Sequence, residues 1–267
     1  MSKKNLTPLW ELRFKACPSS YVFGTVHVQD KRAFTFAAQA VECLKTCQSF
    51  YSEIEFDPHA MALFAQAQHL KNGQSLRDHL SPKRYEKYKL LIKKKFGLNL
   101  EQMDRLLPII LLNHLTLSFI GSENEMQLDA YLAEQATKYG LQTKGLESYE
   151  EHLGVLKNIS LKLQLKQLND FLRMSAKYRK KTLQMLDLYA AGDIYRLYKM
   201  AKGSLGKLKR PMLYDRNELM ANRIFENRQR PCFYAFGAGH LSGQQGVIRK
   251  LKNKGYQLQP IPVSAVV

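Results

Sequence analysis

The sequence predicts an α/β protein: a central mixed sheet built from N- and C-terminal βαβ units, with a large helical segment between them. Three observations carry this. Tyr21–Phe23 and Cys232–Phe236 are strand-like runs, each broken by a glycine-histidine turn and each followed by residues at helical spacing. Between Pro58 and Asn227 the apolar residues recur mainly with a helical period, and Gly, Asn and Pro punctuate the segments. The chain has 267 residues and is 45% hydrophobic, enough for one large core, so a single continuous domain is expected over residues 1–267.

Taken in order, Leu9-Trp10-Glu11-Leu12-Arg13-Phe14 alternates apolar and polar residues, and Cys17-Pro18-Ser19-Ser20 supplies turn chemistry before Tyr21. This reads as a β-hairpin. Phe34, Ala37, Ala38, Val41 and Leu44 then mark a helix, and Phe50–Phe56 returns to a strand, so residues 21–56 form a βαβ unit with parallel strands. Helices are expected at Met61–Leu70, Pro82–Phe96, Leu100–Phe119 and Glu125–Tyr139, followed by a short strand at Gln142–Leu146. Further helices run through Met200, Gly203–Pro211 reads as a basic linker, and Leu213–Asn227 is again helical. The last strand, turn, helix and strand begin at Pro231 and end near Ile261. The sheet-forming parts are thus about 9–57, 141–147 and 231–262, and the helical ones about 58–140 and 149–227.

Composition narrows the function classes. The formal charge of +18 attracts anionic surfaces, and much of it falls between Lys157 and Arg210. No zinc finger, aromatic RNA platform or helix-turn-helix pattern accompanies it, which argues against a specific nucleic-acid reader. No apolar run approaches the roughly 20 residues that a membrane helix requires, and Lys3-Lys4-Asn5 does not lead into a signal core. A cytoplasmic location is therefore expected. Cys17, Cys43, Cys47 and Cys232 are too few and scattered for a disulfide framework, and Cys43 and Cys47 fit one buried helix face.

The two turns, Gly24-Thr25-Val26-His27 and Gly237-Ala238-Gly239-His240, share the pattern G-x-x-H and follow strand ends, where open α/β sheets collect ligands. An imidazole there can bind a divalent metal or move a proton, and glycines leave room for a substrate to approach. The crossover brings His27 near Glu53 or Glu55, which alternation places on one face. His240 joins them if the last unit enters the same sheet. The other five histidines have no such placement.

These motifs carry a resemblance. Leu9-Trp10, Tyr21–His27, Ser52–Pro58, Leu128-Asp129, Leu213–Asn217 and Phe233–His240 resemble, in order and spacing, the TraB/GumN family, which includes the animal Tiki metalloproteases. The match runs nearly end to end and is weakest in the helical middle. It implies a divalent-metal site formed by His27, Glu53 and His240, with Glu55 as the alternative acid and manganese or cobalt favoured over zinc. It also singles out Arg216 and Asn217 and the acids Asp129 and Glu147. A guanidinium at Arg216 could stabilise an oxyanion or dock a carboxylate, or simply form an ion pair. Glu53 could be a ligand or the general base. The catalytic candidates are thus Glu53, Arg216 and His240, acting on a peptide or protein substrate by metal-dependent hydrolysis. Two rivals remain: a peptide- or haem-sequestering protein using the same cavity, and a binder of anionic surfaces working through Lys177–Arg210.

Overall fold

Alternation in Leu9–Arg13 and the turn that follows it produce the expected hairpin, in which Leu9 pairs with Phe23 and Leu12 with Ser20. The computed structural model describes residues 7–54, 65–120 and 123–262. Its strands are β1 (Leu9–Arg13), β2 (Ser20–Thr25), β3 (Ser49–Ile54), β4 (Gln142–Glu147), β5 (Cys232–Gly237) and β6 (Gln257–Pro260), in the sheet order β4-β3-β5-β2-β1-β6. The helices are α1 (Ala37–Leu44), α2 (Pro82–Phe96), α3 (Pro108–Leu117), α4 (Leu128–Lys138), α5 (Tyr149–Lys157), α6 (Leu161–Arg173), α7 (Ser175–Ala190), α8 (Ile194–Leu205), α9 (Asp215–Glu226) and α10 (Val247–Asn253). This is the mixed α/β architecture read from the sequence.

β2, β5, β3 and β4 are parallel, whereas β1 is antiparallel to both β2 and β6. β2 and β3 belong to one crossover, yet they do not touch. β5 lies between them, pairing with β2 at Val22↔Tyr234 and with β3 at Tyr51↔Tyr234. Its sequence, Cys-Phe-Tyr-Ala-Phe-Gly, is almost wholly buried, as a central parallel strand covered on both faces requires. Phe23, Phe50 and Phe233 pack together on one face, and Tyr51 stacks on Tyr234 on the other. Each fully buried ring of this kind contributes roughly 1.5–3 kcal/mol relative to exposure.

Two segments differ from the sequence reading. The helix expected over Leu100–Phe119 begins only at Pro108, because the residue before a proline is pushed out of helical angles, and Leu107 is extended (ψ 137). Gly203–Pro211 is not a linker: α8 continues to Leu205, and short helical turns fill Gly206–Leu208 and Arg210–Tyr214. Of the helix expected at Met61–Leu70, residues 61–64 lie outside the described residues, and 65–67 are helical.

Contacts divide the chain into two compact units. One comprises Met1–Phe56, Ser122–Ser148 and Gln184–Val267 and contains the sheet. Its core includes Trp10, Val22, Leu146, Met220, Phe236 and Leu251. The other comprises Asp57–Gly121 and Tyr149–Leu183. It is built on Tyr85, Tyr88, Leu111, Leu115, Leu168 and Phe171, and the buried Tyr85 hydroxyl donates to Asp104 Oδ2 at 2.8 Å. No helix among the described residues is long and apolar enough to cross a membrane.

Candidate functional site

Strand register brings the two glycine-histidine turns side by side. Thr25 pairs with Gly237, so one turn leaves β2 at the level where the other leaves β5. The approach is close. A Cβ at Gly24 would stand 2.4 Å from Leu241 Cδ1 and 2.9 Å from Ala238 Cα, so only glycine lets the first motif pack under the second. The Tyr189 hydroxyl donates to the Gly24 carbonyl at 2.9 Å and fixes this strand end from α7.

Each imidazole is held by its Nδ1 atom. His27 Nδ1 donates to Asp129 Oδ2 at 2.8 Å, and Asp129, buried in the first turn of α4, also accepts from the Thr25 hydroxyl at 2.5 Å. His240 Nδ1 donates to Asn217 Oδ1 at 2.6 Å; the Asn217 amide in turn donates to the Gln245 carbonyl at 2.6 Å, which settles its orientation. Both rings therefore leave Nε2 for another partner. His27 Nε2 lies 3.7 Å from Glu53 Oε2, and the His27 side chain remains 52% exposed, so the site opens to solvent on this side.

Glu53 is held from two directions. The Gly237 N–H donates to Oε2 at 2.9 Å, and Arg216 Nη2 forms a short ion pair with Oε1. Arg216 Nε also donates to Glu147 Oε1 and Oε2 at 2.8 and 3.1 Å. The guanidinium thus clasps two carboxylates, and Arg216 and Glu147 are both buried. Such a network is costly to break, since removing the cation strands two acids in low dielectric.

The environment separates the two histidines. The negative charge of Asp129 raises His27 well above the ordinary imidazole range despite desolvation. Burial, reinforced by the nearby Arg216 cation, pushes His240 down to about 4, so it is neutral at physiological pH. Burial is the largest single influence on Glu53 and opposes its ionisation, but Arg216, His27 and His240 together outweigh it and hold the carboxyl well below its usual range.

The side chains ring one small volume above Gly237. A Cβ there would be 3.4 Å from Glu53 Oε2, 3.5 Å from His240 Cδ2 and 3.6 Å from His27 Nε2. Two imidazoles anchored through Nδ1, one of them by a carboxylate, are the arrangement by which proteins orient metal-binding histidines. With an acid beside them, the donor types fit a divalent transition ion. No three His, Cys, Asp or Glu side chains among the described residues are posed as a finished coordination group. Glu53 is instead turned to Arg216 and the Gly237 N–H.

The residues singled out by sequence, His27, Glu53, Asp129, Glu147, Arg216, Asn217 and His240, therefore form one connected cluster. Glu55 lies outside the described residues. Sequence reasoning missed the role of Thr25. Thr25 stands two residues before His27, a spacing that puts both on one face of an extended segment and could have flagged it.

The chain is 26% identical to Metalloprotease TIKI1 of Danio rerio over 95% of its own length and 63% of the relative's. It is 26% identical to Metalloprotease TIKI2 of Xenopus tropicalis, covering 95% of this chain and 60% of that protein. The human Metalloprotease TIKI1 gives 26% identity with 95% and 62% coverage. The chain thus spans about three-fifths of the length of these relatives. No solved structure matches it. The model of the TraB/PrgY/gumN family matches residues 8–260, and the chain belongs to that family.

Proposed function

We propose that this protein is a metal-dependent hydrolase of peptide or related amide bonds, with His27, Glu53 and His240 at its centre. The observation that carries the reading is the cluster around Gly237: two imidazoles with anchored Nδ1 atoms and a carboxylate facing one solvent-accessible volume. The relatives' name, metalloprotease, supports the same class.

His240, already neutral, and His27, once its Nε2 proton is displaced, would hold the ion through Nε2, with Glu53 as a third ligand or as the base. A divalent ion, when bound, supplies Lewis acidity that polarises an amide carbonyl and acidifies water. Manganese or cobalt is the expected ion. In the base role, Glu53, ionised at neutral pH, takes the proton of the attacking water on Oε2 and passes it to the departing amine nitrogen as the C–N bond breaks. Asp129 and Asn217 keep the two rings in the tautomer that presents Nε2, and Arg216 orients Glu53. The notion that Arg216 docks a substrate carboxylate loses ground, because its guanidinium already faces Glu53 and Glu147.

The test is hydrolysis of a peptide library by purified protein with added manganese or cobalt, together with metal content by mass spectrometry. His27→Ala and His240→Ala should each abolish turnover and lower metal occupancy. Stoichiometric metal held with unchanged affinity by both variants overturns the shared site.

A further inference from the structure

Four lysines beside the site have no carboxylate partner among the described residues. Between Ile194 and Tyr214 the chain carries Arg196, Lys199, Lys202, Lys207, Lys209 and Arg210, and no Asp or Glu. The two arginines are answered by acids just outside the stretch: Arg196 Nε lies 3.2 Å from Asp193 Oδ2, and Arg210 Nε 3.5 Å from Asp215 Oδ1. The lysines meet only aromatic faces or solvent. Lys199 Nζ stands 4.5 Å from the Tyr195 ring centroid, and Lys202 Nζ 5.9 Å from that of Tyr198.

This stretch borders the site at both of its ends. In α8, Ala201 Cβ would lie 3.4 Å from a Cβ on Gly239, and the Tyr198 ring closes on Gly243, where an added Cβ would meet it at 2.3 Å. These glycines flank His240 on either side. At the other end the Arg210–Tyr214 turn runs straight into Asp215 and Arg216, the residue that clasps Glu53. A cationic band thus edges a centre lined by Glu53, Asp129 and Glu147.

We infer that this band recognises acidic side chains of a peptide substrate, placed a few residues from the bond to be cut. The inference rests on the hydrolase reading above and names its substrate class. The hydrolase reading, whose relatives are named metalloproteases, selects a peptide over a nucleic acid. An extended peptide advances about 3.3 Å per residue, so it can set an uncharged amide at the centre while its carboxylates lie two or three positions away on the lysines. Exposed pairs of this kind act chiefly through encounter rate and selection of partner, and they weaken as salt rises.

The experiment uses two fluorescein-labelled peptides that share one sequence, flanked by Glu-Glu in one and Gln-Gln in the other. Anisotropy measures their binding to the full chain at low and at 0.3 M-range salt, without requiring turnover. The glutamate peptide should bind more tightly, with a preference that salt erodes. In a Lys202→Glu/Lys207→Glu variant the ratio of the two affinities should fall by about fivefold or more, as two weak pairs lost and reversed would give. Lys202→Arg/Lys207→Arg should retain it, which separates charge from folding. Equal affinities, a preference that survives the double reversal, or tighter binding of a single-stranded oligonucleotide at the same salt overturns the assignment. Selective, lysine-dependent binding without hydrolysis would sustain this inference while removing the hydrolase reading; hydrolysis indifferent to the flanking acids would do the opposite.

Discussion

At the scale of single residues, the arrangement depends on side chains that stand behind the two imidazoles. Asp129 holds His27 and is itself held by Thr25, so Asp129→Asn should weaken metal affinity by about 10–100-fold in a competitive chelator titration. Thr25→Val should give a smaller loss in the same direction, with Thr25→Ser restoring it. Gly237→Ala should depress turnover more than stability, because the new methyl would occupy the volume ringed by His27, Glu53 and His240. Arg216 is only 7% exposed and faces two acids; Arg216→Ala should therefore cost about 3–5 kcal/mol in urea denaturation. Arg216→Lys keeps the charge but cannot span both carboxylates with a planar fork, so it should recover only part of that loss. The histidines were legible in the sequence because a repeated G-x-x-H after a strand is a compact signal. The role of Thr25 was not, since it appears only when Asp129 of α4 lies beside it.

Among the elements, the decisive one is β5. β2 and β3 are joined by one crossover, and β5 enters between them and carries His240 to a position beside His27. Local pattern encodes which residues are strands, but the partner of a buried strand is chosen by packing across the whole sheet. Phe233, meeting both Phe23 and Phe50, is one such choice. Gly24 shows how tight the fit is. Gly24→Ala would drive a methyl into Leu241 and Ala238, and it should lower stability by roughly 1–3 kcal/mol in thermal or denaturant melts while shifting the two turns apart. The helix expected over Leu100–Phe119 ran through Pro108, whereas the proline starts a helix where the sequence had suggested one already under way.

For the molecule as a whole, the two units have separate cores. Phe171 is fully buried in the helical unit among Phe96, Phe119 and Tyr178, so Phe171→Ala should cost about 3–5 kcal/mol in denaturant unfolding. Leu90, 69% exposed on α2, should tolerate Leu90→Ala within about 0.5 kcal/mol. The net charge of +18 was plain from composition, yet composition said nothing of where unpaired lysines gather; that became visible only once Asp193 and Asp215 were seen to be taken by Arg196 and Arg210.

The central seat of β5 also sets a schedule for assembly. Tyr21 must wait for Phe233, a partner far along the chain, and until it emerges from the ribosome β2 and β3 each present a bare edge where their shared neighbour belongs. Pairings so distant along the polypeptide are slow to close. A nascent chain of this protein therefore stays sticky until β5 has been translated, a window in which a chaperone would have most to do.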